Sequence, residues 1–165
     1  LRGVAAELKS EGIDVLESTL FLEPIIPSEL GPLTQTQPTP AQWEDIRLGI
    51  PMVKTLGRTG IGQTLVLKQG VVVAVEAIEG TDATIRRGGS IAGGPIVVVK
   101  MSKPQQDLRF DVPAVGPSTV EALKEAGGGV LAVEQGRSIL LDREEMLAGA
   151  NASGVAVVAV APEIE

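Results

Sequence analysis

From Lys103 to Pro113 the chain reads Lys-Pro-Gln-Gln-Asp-Leu-Arg-Phe-Asp-Val-Pro, directly after an apolar run from Pro95 to Met101 that predicts a buried strand. Two cations, two carboxylates and two amides share this stretch. Lysine and arginine bind phosphoryl oxygens, carboxylates bind a hard cation, and proline restricts the backbone that presents them. Read as extended chain, the segment puts Arg109 and Asp111 on one face while Phe110 and Val112 point inward. A guanidinium beside Asp111 would keep that carboxylate ionised, able to bind a metal or orient water. Lys100, Lys103 and Gln106 could meet phosphate oxygens. The bland alternative is a solvated surface ion pair, worth under about 1 kcal/mol.

A second group is Glu76-Ala77-Ile78-Glu79-Gly80-Thr81-Asp82, closely followed by Arg86-Arg87. The apolar run Val71 to Val75 delivers Glu76 at a strand end, and Gly80-Thr81 opens a helix. Glu76, Glu79 and Asp82 could hold a divalent cation there, while helix N–H groups and the Thr81 hydroxyl could donate to phosphate oxygens. Alternatively, Asp82 is a first-turn acid favoured by the helix dipole and Glu79 is solvated. Arg86 and Arg87 are adjacent, so at most one should reach a ligand. Gln63 adds a polar group at the mouth of the preceding strand. The glycine cluster Gly88 to Gly94 lacks a P-loop lysine and reads as a flexible loop, and Glu134 with Arg137 as an exposed cross-strand pair.

The composition removes other chemistries. The 165 residues contain no cysteine and no histidine, which excludes disulfides, thiolate nucleophiles, Ser-His-Asp catalysis and imidazole metal sites. Any metal must therefore be held by oxygen, which suits Mg²⁺, with Mn²⁺ as the alternative. A net charge of −7 and one Trp, two Phe and no Tyr argue against a nucleic-acid partner. No apolar run reaches the length of a membrane span and no basic-then-apolar leader occurs, so the cytoplasm is the expected compartment. The start at Leu1, within a helical pattern of Leu1, Val4, Ala5 and Leu8, is expected of a piece of a longer protein.

These groups need elements to position them. Residues 1–10 predict a helix stopped at Gly12, and residues 13–22 a strand. Pro24 to Pro40 predicts an irregular connector in which Leu33 to Gln37 could wrap over a site. Thr39-Pro40 caps a helix carrying Trp43, Ile46, Ile50, Val53 and Leu56, with Pro51 expected to kink or divide it. Two similar units follow, each a hairpin with a glycine turn leading into a helix: strands at 64–67 and 71–76, then at 130–133 and 137–141. Helices after Ser118 and Asp142 and a buried strand at 155–160 complete the chain. The expected fold is α/β of mixed α+β character, a mixed sheet with hairpins and flanking helices. It forms a single domain over 41–165, preceded by an irregular arm over 1–40.

Gly57 to Gln63, Val75 to Asp82 with Arg86-Arg87, Lys103 to Pro113 followed by Gly116, and Asp142-Arg143-Glu144 stand together in this order. The pattern resembles the C-terminal domain of the metal-dependent UDP-2,3-diacylglucosamine pyrophosphatases of the lipid A pathway, the type unrelated to calcineurin-like phosphatases. The resemblance covers nearly the whole chain, and Lys-Pro-x-Gln-x-x-Arg-x-Asp-x-Pro is its specific part. It departs at Gly60, where the family pattern has an aspartate. The resemblance implies a Mg²⁺-dependent hydrolysis to UMP and 2,3-diacylglucosamine 1-phosphate, with Asp111 as the essential aspartate supported by Arg109 and Lys103. It implies a lipid-linked UDP-sugar substrate and an N-terminal domain of similar size. Peripheral contact at the inner face of the cytoplasmic membrane through that substrate, and a homodimer, are further expectations. The competing expectation is a non-catalytic domain that binds a phosphorylated sugar or nucleotide, or dimerises.

Overall fold

The computed structural model describes residues 2–162, so Leu1 of the first helical pattern lies outside the described residues. Its centre is built from the valine-rich runs β4 (Ile96–Lys100), β6 (Gly129–Glu134) and β8 (Ala156–Val160). All three are parallel, with Val98 beside Leu131 and Leu131 beside Val157. Strands covered on both faces read as continuous apolar runs, which is why these segments show no alternation of polar and apolar residues. β1 (Gly31–Pro32) adds to β8 antiparallel, and the hairpin β2 (Thr64–Lys68) and β3 (Val71–Val75) adds antiparallel to β4. The sheet order is β1-β8-β6-β4-β2-β3.

Successive side chains leave a strand on opposite faces, so the sheet feeds two separate cores. Ile96, Val98, Leu131, Val133 and Val157 pack with residues of α3 (Thr81–Ala92), α4 (Pro117–Glu125) and α5 (Arg143–Ser153). Val97, Val99, Met101, Val130, Ala132 and Val158 pack against Ile46, Ile50 and Val53 of α2 (Pro40–Thr59). The fold is thus a mixed α/β domain with helices on both faces of a six-stranded mixed sheet. The first helix, α1 (Arg2–Ser10), precedes the arm.

Several expectations are corrected. α2 is capped as anticipated, with Gln42 N donating to the Thr39 hydroxyl and Thr39 N donating to Gln42 Oε1. It nevertheless runs unbroken through Pro51, because buried Ile50 and Val53 hold it to the sheet on both sides of the proline. Residues 13–22 form no strand: 13–17 are irregular and 18–21 a turn, and Leu16 and Phe21 are exposed instead of packed on a sheet. Leu33 to Gln35 does not wrap over a site but follows β8, with Leu33 N bonded to Val157 O and Val157 N to the Thr34 hydroxyl. The second hairpin does not form. β7 (Ile139–Leu140) pairs in parallel with β5 (Ala114–Val115), drawn there by Ile139 N to Pro113 O and Leu141 N to Val115 O. The two units are therefore not alike.

Gly88 and Gly89 lie inside α3, not in a flexible loop. Their missing side chains let the helix approach its neighbours: a Cβ on Gly88 would stand 2.7 Å from Val66 Cγ1, and one on Gly89 2.3 Å from Ala126 Cβ. Packing here overrides the poor helix propensity of glycine. Gly89→Ala should therefore lower stability by about 1–3 kcal/mol through overpacking against α4. Gly149→Ala, in α5 with nothing within 4 Å of the added carbon, should raise it by about 0.5–1 kcal/mol. Urea unfolding of the two variants checks the opposite signs.

Candidate functional site

The parallel strands β4, β6 and β8 end at one edge of the sheet, where β2 begins and β3 ends. In open α/β sheets this carboxyl edge is where ligands bind. Gln63, Glu76, Lys100, Ser102 and Glu134 all fall here, divided between the two faces by strand alternation.

On the α3/α4 face, Lys100 is only 5% exposed. Its Nζ donates to the Thr81 hydroxyl at 2.5 Å, and that hydroxyl donates to Glu76 Oε1 at 2.6 Å. The other Glu76 oxygen accepts Gln63 N at 3.0 Å. Burial pushes the Lys100 pKa down, and the carboxylates of Glu76, Asp82 and Asp111 pull it back up. Glu76 and Asp82, two of the three acids expected together around a cation, thus act on a buried ammonium instead, while the third, Glu79, pairs with Arg87. Asp82 also accepts from the Thr119 hydroxyl at 3.0 Å, which joins the first turns of α3 and α4. A cleft of about 690 Å³ opens between those two helix starts and reaches Asp142 and Glu145.

On the α2 face, Glu134 is 1% exposed, not an exposed partner of Arg137, because Val130, Ala132 and Glu134 all point towards α2. Its carboxylate accepts Ser102 N at 2.7 Å, the Ser102 hydroxyl at 2.6 Å and Lys54 Nζ at 2.9 Å. Arg137 stays 3.9 Å away.

The Lys103–Pro113 segment crosses the edge between these faces as a series of turns. At its start, Lys103 N donates to Gln106 Oε1 and Gln105 Nε2 to Gly57 O, fastening it to the end of α2. At its end it passes into β5 beside α4. Arg109 grips Asp107 through two hydrogen bonds, 2.9 and 2.7 Å, instead of lying beside Asp111. The extended reading is corrected for that reason: the turn at 107–110 curls the guanidinium back within two residues. Asp111 is exposed, within electrostatic reach of Lys100.

Other candidates are engaged elsewhere. Arg87 donates to Glu79 at 2.5 Å and holds that carboxyl below its usual range. Arg86 pairs with Glu125 of α4. Among the described residues no group of three or more acids could hold a metal ion by itself. Asp111 and Asp82 remain as acids that could share a cation with substrate oxygens, the mode in which Mg²⁺ takes one or two protein carboxylates. Sequence reasoning missed the roles of Lys54 and Thr119 and read Glu134 as exposed, whereas it is buried. The parity of Glu134 with Val130 and Ala132 was the available signal for its burial.

The sequence model of the LpxI C-terminal domain matches residues 29–158, from the arm through most of β8. The chain belongs to the LpxI C-terminal domain family. It is also 34% identical over 172 residues to the UDP-2,3-diacylglucosamine pyrophosphatase LpxI of Caulobacter vibrioides, covering 99% of this chain and 61% of that relative. The chain therefore spans about three fifths of the length of the curated relative it matches. In this LpxI-type domain the family match takes in every residue of the Lys100 cluster and the whole Lys103–Pro113 segment.

Lys100 sets a pH signature. Its folded pKa lies below the ordinary value of 10.5, so between the two values the unfolded chain binds more protons than the native one. Its contribution to stability accordingly rises as pH climbs towards 10.5. In Lys100→Met that component disappears, and stability measured by denaturant at successive alkaline pH values should rise less steeply, or fall more steeply, than in the parent. Parallel curves would show that the ammonium is not buried as described.

Proposed function

We propose that this domain carries the hydrolytic site for UDP-2,3-diacylglucosamine, releasing UMP and 2,3-diacylglucosamine 1-phosphate within a longer protein. The reading is supported by family membership and by the activity in the name of the Caulobacter relative. The observation that carries it is the buried Lys100 ammonium, linked through the Thr81 hydroxyl to Glu76 at the carboxyl edge of the sheet, with Asp82 and Asp111 within electrostatic reach. A buried, preorganised cation favours the charge that gathers on phosphoryl oxygens. The first turns of α3 and α4 add backbone N–H donors to the same cleft.

Hydrolysis forms a bond from a water oxygen to one phosphorus and breaks the bridging P–O bond, the bridging oxygen leaving with the other phosphate and the water proton passing by way of the Asp111 carboxylate to solvent. Exposed Asp111 is the acid suited to orient that water, while Glu76 and Thr81 hold Lys100 in place. The Mg²⁺ implied by the resemblance would be held by Asp111 and Asp82 with substrate oxygens and would neutralise pyrophosphate charge. Lys103 and Arg109 stand on the same segment and support phosphate binding in this reading, Arg109 after exchanging its Asp107 partner. No described helix is long and apolar enough to cross a membrane, and contact with a membrane's inner face belongs to the proposal through the substrate's acyl chains. Pairing of two copies belongs to it as well.

Asp111→Ala should lower UMP release by about 100-fold or more, the usual scale for loss of a group that positions or deprotonates water. The melting temperature should hold, since the side chain is exposed. Wild-type turnover in the variant would sink the assignment. The span of 61% of the relative favours one alternative, a binding domain inert without the rest of the protein. Product binding without turnover by this chain, with turnover by the longer protein, identifies that case.

A further inference from the structure

At the start of β2 one buried hydroxyl is left without a hydrogen-bond partner. Thr64 is fully buried, and its Oγ1 bonds to no group among the described residues. Strand register shows what stands around it. Thr64 lies opposite Lys100 of β4, and from its other side Glu76 N donates to Thr64 O at 3.0 Å. Two residues further into the sheet, Val66 lies between Val98 and Ala74, all three in the core shared with α3 and α4. Alternation places Lys100, Thr64 and Glu76 on that same face, a polar row following an apolar one. Packing alone would favour valine at 64, as at 66, because an unpaired buried hydroxyl destabilises the fold.

The neighbouring lysine gives the hydroxyl a purpose. An ammonium carries three N–H donors and accepts nothing. Thr81 takes one N–H of Lys100, and in the hydrolytic reading a phosphoryl oxygen takes another. The Glu76 carboxylate is already met by the Thr81 hydroxyl and by Gln63 N. Across the strand from Lys100, the Thr64 oxygen is an acceptor not yet used. We propose that Thr64 is a positioning residue for Lys100: when substrate oxygens draw on the ammonium, its remaining N–H turns to the Thr64 hydroxyl. The cation is then held from the sheet as well as from α3. The flexible four-carbon stem of lysine allows that turn without movement of the backbone. Being fully buried, Thr64 acts only through Lys100, and this role rests on the hydrolytic reading of the site.

Two readouts on the full chain test it. One is UMP release from UDP-2,3-diacylglucosamine with Mg²⁺; the other is calorimetric affinity for inorganic pyrophosphate, which needs no turnover. Thr64→Val keeps the shape and removes the hydroxyl. It should weaken pyrophosphate binding about tenfold and slow UMP release by about as much, the scale for losing a hydrogen bond to a charged group. Its melting temperature should stay level or rise, since an unpaired polar atom leaves the interior. Thr64→Ser should show the opposite pair of effects. The hydroxyl returns and both readouts recover towards the parent, while loss of the methyl lowers the melting temperature.

A residue with a merely structural role would lose function only where it loses stability, so the crossing of the two variants decides the matter. Parental binding and turnover in Thr64→Val, or no recovery in Thr64→Ser, would overturn the role given to Thr64. If the chain binds pyrophosphate without turning substrate over, the affinities decide. Lys100→Met separates this role from the reading beneath it. Loss of binding in Lys100→Met beside parental binding in Thr64→Val removes Thr64 alone. Unchanged binding and turnover in Lys100→Met, or a parent that neither binds nor hydrolyses, removes the hydrolytic reading and Thr64 with it.

Discussion

Much of the functional edge depends on how a single buried carboxylate is satisfied. Glu134 ends β6 with almost no exposure, and an uncompensated charge there would cost several kcal/mol. Ser102 meets it through both backbone and hydroxyl, and Lys54 reaches it from α2. That knot fixes where the chain leaves β4, and therefore where the Lys103–Pro113 segment begins. Two residues earlier, Lys100 presents the opposite problem on the other face, a buried cation met by Thr81 and faced by three carboxylates. The exit from β4 is thus pinned by a charge of each sign, one on each side of the sheet.

This arrangement divides the edge into two chemically different clefts. The α3/α4 side is acidic around one ammonium and lined by helix starts; the α2 side is basic around one saturated carboxylate. The turn-rich segment between them touches both, through Gly57 at its beginning and β5 at its end.

What was legible in the sequence was mostly local. The valine-rich strands, the hairpin around Gln69-Gly70, the cap at Thr39 and the placement of Glu76 at a strand end all follow from short-range pattern. So did the density of charge after β4, although its pairing did not. Arg109 turned to Asp107 because a tight turn, not a strand, carries it. The Lys54–Glu134 bond joins residues 80 apart, and no spacing rule reports such a contact. Gly88-Gly89 misled for a related reason: glycines that break an isolated helix can be required in a packed one, here where the helix backbone comes close to Val66 and Ala126. The failed second hairpin shows the same limit, since the partner of β7 was decided by β5 and not by its neighbour in the chain.

The placement of β8 carries a consequence for how this domain reaches its native state. β8 follows the other described strands in the chain, yet it sits between β6 and β1 and is the strand that pairs with β1. Gly31 is matched with Ala159, so the ends of a very long loop must meet before the arm can dock. Such non-local closure is slow relative to helix or hairpin formation. On a ribosome, the hairpin β2–β3, β4, β6 and their helices can assemble while the arm waits undocked. The valines of β8 then complete both cores and secure the arm in a single late event.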